Sequence, residues 1–187
     1  MRTNATEENE VGEFGSVVGP AMVRIQRLLS GSPEVVWEYL TQSEKCSQWL
    51  ATIDGALEVG AQITLTFNNS TLTPHNEETP EEFKKHECSP QAKRILVYEP
   101  PHKLTYTWGS QDNPSEVTFE LEAQGEKTLL TVTHAKLPNR DQLLGVSSGW
   151  HSHLNVLRAK LAGDTPEPFW PAFLKVRKEY ERAIESD

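Results

Sequence analysis

Apolar and polar residues alternate through most of this chain with a period of two, and near residue 139 the period changes to that of a helix. Alternation marks Met22 to Leu29, where Val23, Ile25, Arg27 and Leu29 share one face. It returns at Gln62 to Phe67, Lys93 to Glu99, Leu104 to Trp108, Glu116 to Glu122 and Thr128 to His134. Each of these predicts a strand, with Phe14 to Val18 as a short edge strand and Ala56 to Val59 as a further one. Gly19-Pro20, Gly60, Pro100-Pro101, Asn113-Pro114 and Gln124-Gly125 are turn formers between them. The inward set is Ile63, Leu65, Phe67; Leu104, Tyr106, Trp108; Val117, Phe119, Leu121; and Leu130, Val132, His134. Thr, Lys and Glu occupy the alternate positions, so one face meets the core and the other meets water.

Two helical patterns frame the strands. Ser32-Pro33-Glu34 opens the first, with a serine able to cap an amide, a proline in the first turn and an acid at the positive end of the dipole. Its apolar face holds Val36, Trp37 and Leu40 up to about Thr41, and a short turn at Ser43 to Leu50 brings Trp49 beside it. The second pattern, Asn139 to Leu161, places Leu143, Val146 or Ser147, Trp150, Leu154, Leu157 and Leu161 on one side and would span roughly 34 Å. Its VSSGW stretch reads as small residues that let the helix approach the sheet, with Gly149 marking a bend. After TPEPFWP, residues Ala172 to Ile184 form another helical pattern, expected on the outside of the domain. Residues 68–90 are polar and too long for a hairpin loop, with a helical turn predicted at Glu81 to Glu87. The predicted organisation is an acidic disordered tail over 1–12, a domain over 13–163 that contains this excursion, and an extension helix over 164–187.

Sequential strands joined by short turns and followed by one long helix predict an α+β fold, a curved antiparallel sheet gripping the helix with a cavity between them. The length suits one such domain. A net charge of −9 repels phosphate backbones and anionic surfaces, which argues against nucleic acid as a partner. No window approaches the ~18 apolar residues of a membrane span, so no membrane insertion is expected. Cys46 and Cys88 lack metal-ligand spacing, and the polar start lacks a secretory pattern, which together predict free thiols in the cytoplasm.

The segments SPEVVWEYLTQSEKCSQWL, LEVGAQITLTF, RILVYEPPHKLTYTWG, EVTFELEAQGEKTLLTVTH and SGWHSHLNVLRAKLAG, in that order, resemble the SRPBCC superfamily. Within it they are most similar to the family named after the activator of the ninety-kilodalton heat-shock protein ATPase. The resemblance covers Phe14 to Gly163, and FWPAFLKVRKEY resembles an extension of one bacterial branch. It implies the START-like, helix-grip fold of the birch-pollen allergen group. Relatives bind lipids, hormones or polyketides, some are cyclases or aromatase-like enzymes, and the eponymous domain works on a chaperone, so function has to be read from the site.

The strongest constellation is His134, Trp150 and His151 with the inward aromatics. An apolar pocket with a few convergent polar groups is the usual form of a small-molecule site. The predicted ligand contacts are Arg27, Trp49, Phe67, Tyr106, Trp108, Phe119, His134, Trp150, His151 and Leu154, with arginine and histidines orienting a polar end. His151 and His153 point to different faces and make no metal pair. No nucleophile elbow or phosphate-binding glycine loop is present, so neither a catalytic residue, a metal nor a cofactor is assigned. The leading expectation is binding of a small hydrophobic or amphipathic molecule. The rival is an interaction or chaperone-related module acting through its surface, with a homodimer among its forms, and the third is a cyclase or dehydratase using a pocket histidine.

Overall fold

The computed structural model describes residues 12–19 and 21–185; the predicted acidic tail therefore lies, up to Val11, outside the described residues. Eight strands form one antiparallel sheet in the order β1-β2-β8-β7-β6-β5-β4-β3. They are β1 (Ser16–Gly19), β2 (Met22–Ser30), β3 (Thr52–Asp54), β4 (Gln62–Thr66), β5 (Pro90–Glu99), β6 (Lys103–Trp108), β7 (Ser115–Gln124) and β8 (Lys127–Ala135). The helices are α1 (Pro33–Thr41), α2 (Ser43–Cys46), α3 (Arg140–Ala162) and α4 (Phe169–Glu185). From β3 to β8 each strand pairs with its chain neighbour, and β2 returns to lie beside β8.

Alternation gives the sheet its two faces, and the inward set predicted from it is buried throughout except for Trp108, which is half-buried. The sheet bends where β5 changes partner: Pro90–Arg94 pair with β4, whereas Ile95 onward pair with β6, with a register shift between Ile95 and Val97. An extra residue at such a point sharpens the local twist and lets the sheet wrap. Long helix α3 lies in the resulting concavity. Asn139 caps it, its side chain accepting from the Gln142 amide at 2.9 Å, and Gly163 ends it at φ 76°, a conformation that only glycine adopts without strain.

Three expectations are corrected. Residues 56–59 are a turn and not a strand, and Val59 is 65 % exposed; the short edge strand is β3, since Gly55 at φ 115° and Gly60 at φ 87° turn the chain on either side of that apolar run. Ser32 makes no side-chain capping bond; its hydroxyl instead holds the Glu34 carboxyl below the usual range. Helix α4 begins at Phe169, so Phe169 and Trp170 form its first turn, and it packs against α3 with Phe169, Trp170 and Phe173 buried.

Candidate functional site

A cavity of about 590 Å³ opens between the first half of α3, the β4–β6 end of the sheet, the 68–90 excursion and α4. Its size is that of a small-molecule pocket. The floor is Phe67, which follows β4, and Trp108 at the end of β6, their rings 5.7 Å apart edge to face. From above come Gln142, Gly145, Val146, Gly149, Trp150 and His153 of α3, whose spacings of three and four put them on one stripe. The far wall is Phe169, Trp170, Phe173 and Arg177 of α4, with Phe83 of the excursion stacked on Trp170 at 5.2 Å and 17°.

The excursion and α4 hold one another. The Glu77 carboxylate accepts from the Phe169 amide at 2.9 Å, the Trp170 amide at 2.8 Å and the Thr73 hydroxyl at 2.6 Å, so an acid 92 residues upstream caps α4. Such a carboxylate satisfies two amides that have no partner within the helix and sits at the positive end of its dipole. Within the excursion, Glu87 accepts from the Asn69 and Ser70 amides and the Thr79 hydroxyl at 2.8, 3.0 and 2.7 Å. The stretches that broke the sequence rhythm thus build the same wall.

Two glycines of α3 face the space. A methyl group added at Gly145 or Gly149 would meet nothing within 4 Å. The small residues of the VSSGW stretch that are fully buried are Ser147 and Ser148, while Gly149 faces open space. A glycine inside a helix costs about 1 kcal/mol relative to alanine, and here that cost leaves open volume above the aromatic floor.

Of the predicted contacts, the structure places Phe67, Trp108 and Trp150 on the cavity wall. Tyr106 and Phe119 form the layer beneath, with Phe119 edge-on to Trp150 at 5.4 Å and Tyr106 stacked on Trp108 at 6.3 Å. His134 is fully buried behind the same rings. Trp150 Nε1, which can only donate, bonds His134 Nδ1 at 3.0 Å, so that nitrogen is bare and the proton sits on Nε2, which bonds the Ser115 hydroxyl at 2.8 Å. Burial, and then the charge of Lys93, pushes its pKa down to about 3. This imidazole is held neutral in one tautomer.

His151 and Arg27 lie elsewhere, toward β1 and α4. His151 Nδ1 bonds the Tyr180 hydroxyl at 3.2 Å, which in turn accepts from the Gly15 amide at 2.7 Å. Burial first, and then Arg27 and Arg158, lowers its pKa to about 4. Arg27 donates through Nε to Asn155 at 3.2 Å and through Nη1 to the Gln26 carbonyl at 2.8 Å, while Nη2 is buried without a partner. Burial, with Arg158 adding repulsion, brings it down to about 10, so it remains charged. Trp49 and Leu154 are completely buried core residues, and Trp49 Nε1 donates to the Tyr39 carbonyl at 2.8 Å.

Of the two histidines on the wall, His86 and His153, the one carried by α3 is His153, which sequence reasoning weighed only as a metal ligand. Its Nδ1 donates to the Trp49 carbonyl at 2.8 Å, leaving Nε2 as a bare acceptor, and its ring lies 4.8 Å from Phe169. Burial pushes its pKa down to about 4 against the opposing pull of that carbonyl. Its signal was available: residues 142, 145, 149 and 153 make a helical stripe distinct from the leucine face. Two wall residues carry buried polar atoms without partners, Trp170 Nε1 and Asn69 Oδ1. Among the described residues no group of acidic, histidine or cysteine side chains is placed to hold a metal, and no helix is long and apolar enough to cross a membrane.

Residues 30–162 match the model of the family described as activator of Hsp90 ATPase homolog 1-like protein. Among solved structures, the chain is similar to the solution structure of the protein encoded by BPP1335 of Bordetella parapertussis, with 37 % identity over 89 % of this chain and 88 % of that one and a TM-score of 0.77. The crystal structure of CalU16 from Micromonospora echinospora matches at 23 % identity, 87 % and 84 % coverage and a TM-score of 0.62. The solution structure of an Aha1 dimer from Colwellia psychrerythraea matches at 18 % identity, 75 % and 95 % coverage and a TM-score of 0.57. The last two likenesses are of fold. No curated protein matches the chain.

Proposed function

The chain belongs to the activator of Hsp90 ATPase homolog 1-like family of SRPBCC domains, and from that premise we propose that it binds one small hydrophobic or amphipathic molecule in the cavity between sheet and long helix. The observation that carries this reading is the pair Gly145 and Gly149, two costly positions in the first half of α3 where an added methyl would meet nothing within 4 Å, which preserves space over Phe67, Trp108 and Trp150. A helix selected for packing alone would gain by filling them. Aromatic rings on three sides supply apolar area, and Gln142, His153 and Asn69 supply a few polar atoms to orient what enters.

His134 and His151, on which the acid-base reading rested, do not line the cavity, whereas His86 and His153 do. The aromatic lining and the open space beneath the two glycines favour binding as the reading. Native mass spectrometry of the purified protein, followed by denaturing extraction, is expected to show one co-purifying organic molecule per chain. Purified protein that stays empty when challenged with medium-chain alcohols would overturn the reading.

A further inference from the structure

Lys93 lies at the start of β5, two residues before Ile95, and therefore on the inward face of the sheet. It is 1 % exposed. Among the described residues no carboxylate comes within ion-pair distance: its ammonium donates to Gln91 Oε1 at 3.1 Å and sits over the Trp108 ring at 4.0 Å from the centroid. An ammonium has three N–H groups, so the amide and the ring leave part of its capacity unused. A buried cation without an anion is expensive, and proteins rarely keep one where a methionine of similar shape would pack. Both of its partners, Gln91 and Trp108, line the cavity. The charge therefore stands directly behind the wall.

The geometry points to an amphipathic ligand with an anionic head, a carboxylate, which lies against Trp108 and Gln91 and pairs with the Lys93 ammonium while its apolar body fills the space beneath Gly145 and Gly149. This rests on the cavity reading above and adds the charge of the ligand to it. Burial brings the ammonium down to about 8, so it is largely protonated at neutral pH. The neighbouring imidazole of His134 is neutral and does not compete for the anion. The other charged or titratable residues of the lining are His153, whose imidazole burial keeps neutral, Arg177 and His86 on the far side, and Asp141, which is exposed in the first turn of α3. Arg177 is half-buried and ion-paired with Glu181 at 3.4 Å, and its guanidinium lies 6.0 Å from the Phe83 ring, so its charge is already matched.

The test compares decanoate with 1-decanol, which share a chain and differ in the head, by quenching of tryptophan fluorescence. The wild type is expected to bind decanoate about tenfold more tightly or better, the increment of a charge-assisted contact out of water. In Lys93→Met the ratio is expected to fall to about one, and in Arg177→Gln to persist. Lys93→Gln repeats the first comparison should the methionine variant not fold. Equal affinities in the wild type would overturn the anionic head while leaving the cavity reading intact. A preference that survives loss of Lys93, or that disappears in Arg177→Gln, would overturn the assignment to Lys93. Absence of binding by both compounds would overturn this inference together with the cavity reading.

Discussion

Lowering the pH from 7 to 5 is expected to remove on the order of 6 kcal/mol of stability. The cause is three buried imidazoles. His134, His151 and His153 have native pKa values lowered to about 3, 4 and 4, whereas in the unfolded chain each titrates near the ordinary 6.5. Below 6.5 the unfolded state binds protons that the native state refuses, so stability falls as pH falls. Each group contributes roughly 1.4 kcal/mol per pH unit, and the three together roughly 4. The slope persists down to about pH 4, where His151 and His153 begin to protonate in place, and His134 carries it further. A domain of this size has about 5–15 kcal/mol in total, so the chain should be near or past its unfolding midpoint below pH 5. Urea unfolding at pH 7, 6 and 5 measures the slope, and His153→Gln should reduce it by about a third. A loss under about 2 kcal/mol between pH 7 and pH 5 would mean that no more than one imidazole is held neutral.

Trp150→Ala is expected to cost about 3–5 kcal/mol, the range for removing a large aromatic from a core. The ring is 3 % exposed and packs on Trp108 at 5.2 Å and Phe119 at 5.4 Å. Part of the loss is polar. Removing the indole leaves His134 Nδ1 without its only donor, in a place where the imidazole cannot recover a proton cheaply. Trp150→Phe separates the two effects: it keeps an aromatic body and deletes the donor, and should still cost about 1–3 kcal/mol. Nothing in the spacing reveals that an indole N–H and an imidazole 16 residues apart are joined. Chemical denaturation of the two variants beside the wild type decides it. A phenylalanine variant within 0.5 kcal/mol of wild type would contradict the bond.

The fold was legible because alternation and the helical period are local properties, and β4, β6, β7 and β8 each carry their own inward set. The candidate site was legible only where an inward aromatic also lies at a strand end or on the helix stripe, as Phe67, Trp108 and Trp150 do. Periodicity tells which face of an element is buried and says nothing of what lies opposite. For that reason α4 was expected on the outside, and Phe169, Trp170 and Phe173 were not connected with the cavity. Phe83 was hidden in a polar stretch whose position depends on Glu77 capping α4 at a separation of more than 90 residues. Arg27 and His151 illustrate the reverse: both are buried, as their positions imply, but in a separate cluster around Tyr180. Lys93 shares its face with Ile95, and that alternation was visible; what its ammonium stands beside was not.

The most direct measurement is a titration of wild type and Gly149→Leu with 1-decanol, followed by quenching of tryptophan fluorescence, since Trp108, Trp150 and Trp170 line the space and the chain has two other tryptophans. Leucine at 149 enters a volume in which an added methyl meets nothing within 4 Å, and it replaces a poor helix former with a good one, so the fold should persist. Saturable binding of one molecule per chain in the wild type, weakened at least tenfold in a Gly149→Leu variant of undiminished stability, is the predicted result. Saturable binding that the leucine leaves untouched would place the ligand elsewhere and contradict the cavity between sheet and helix as the site.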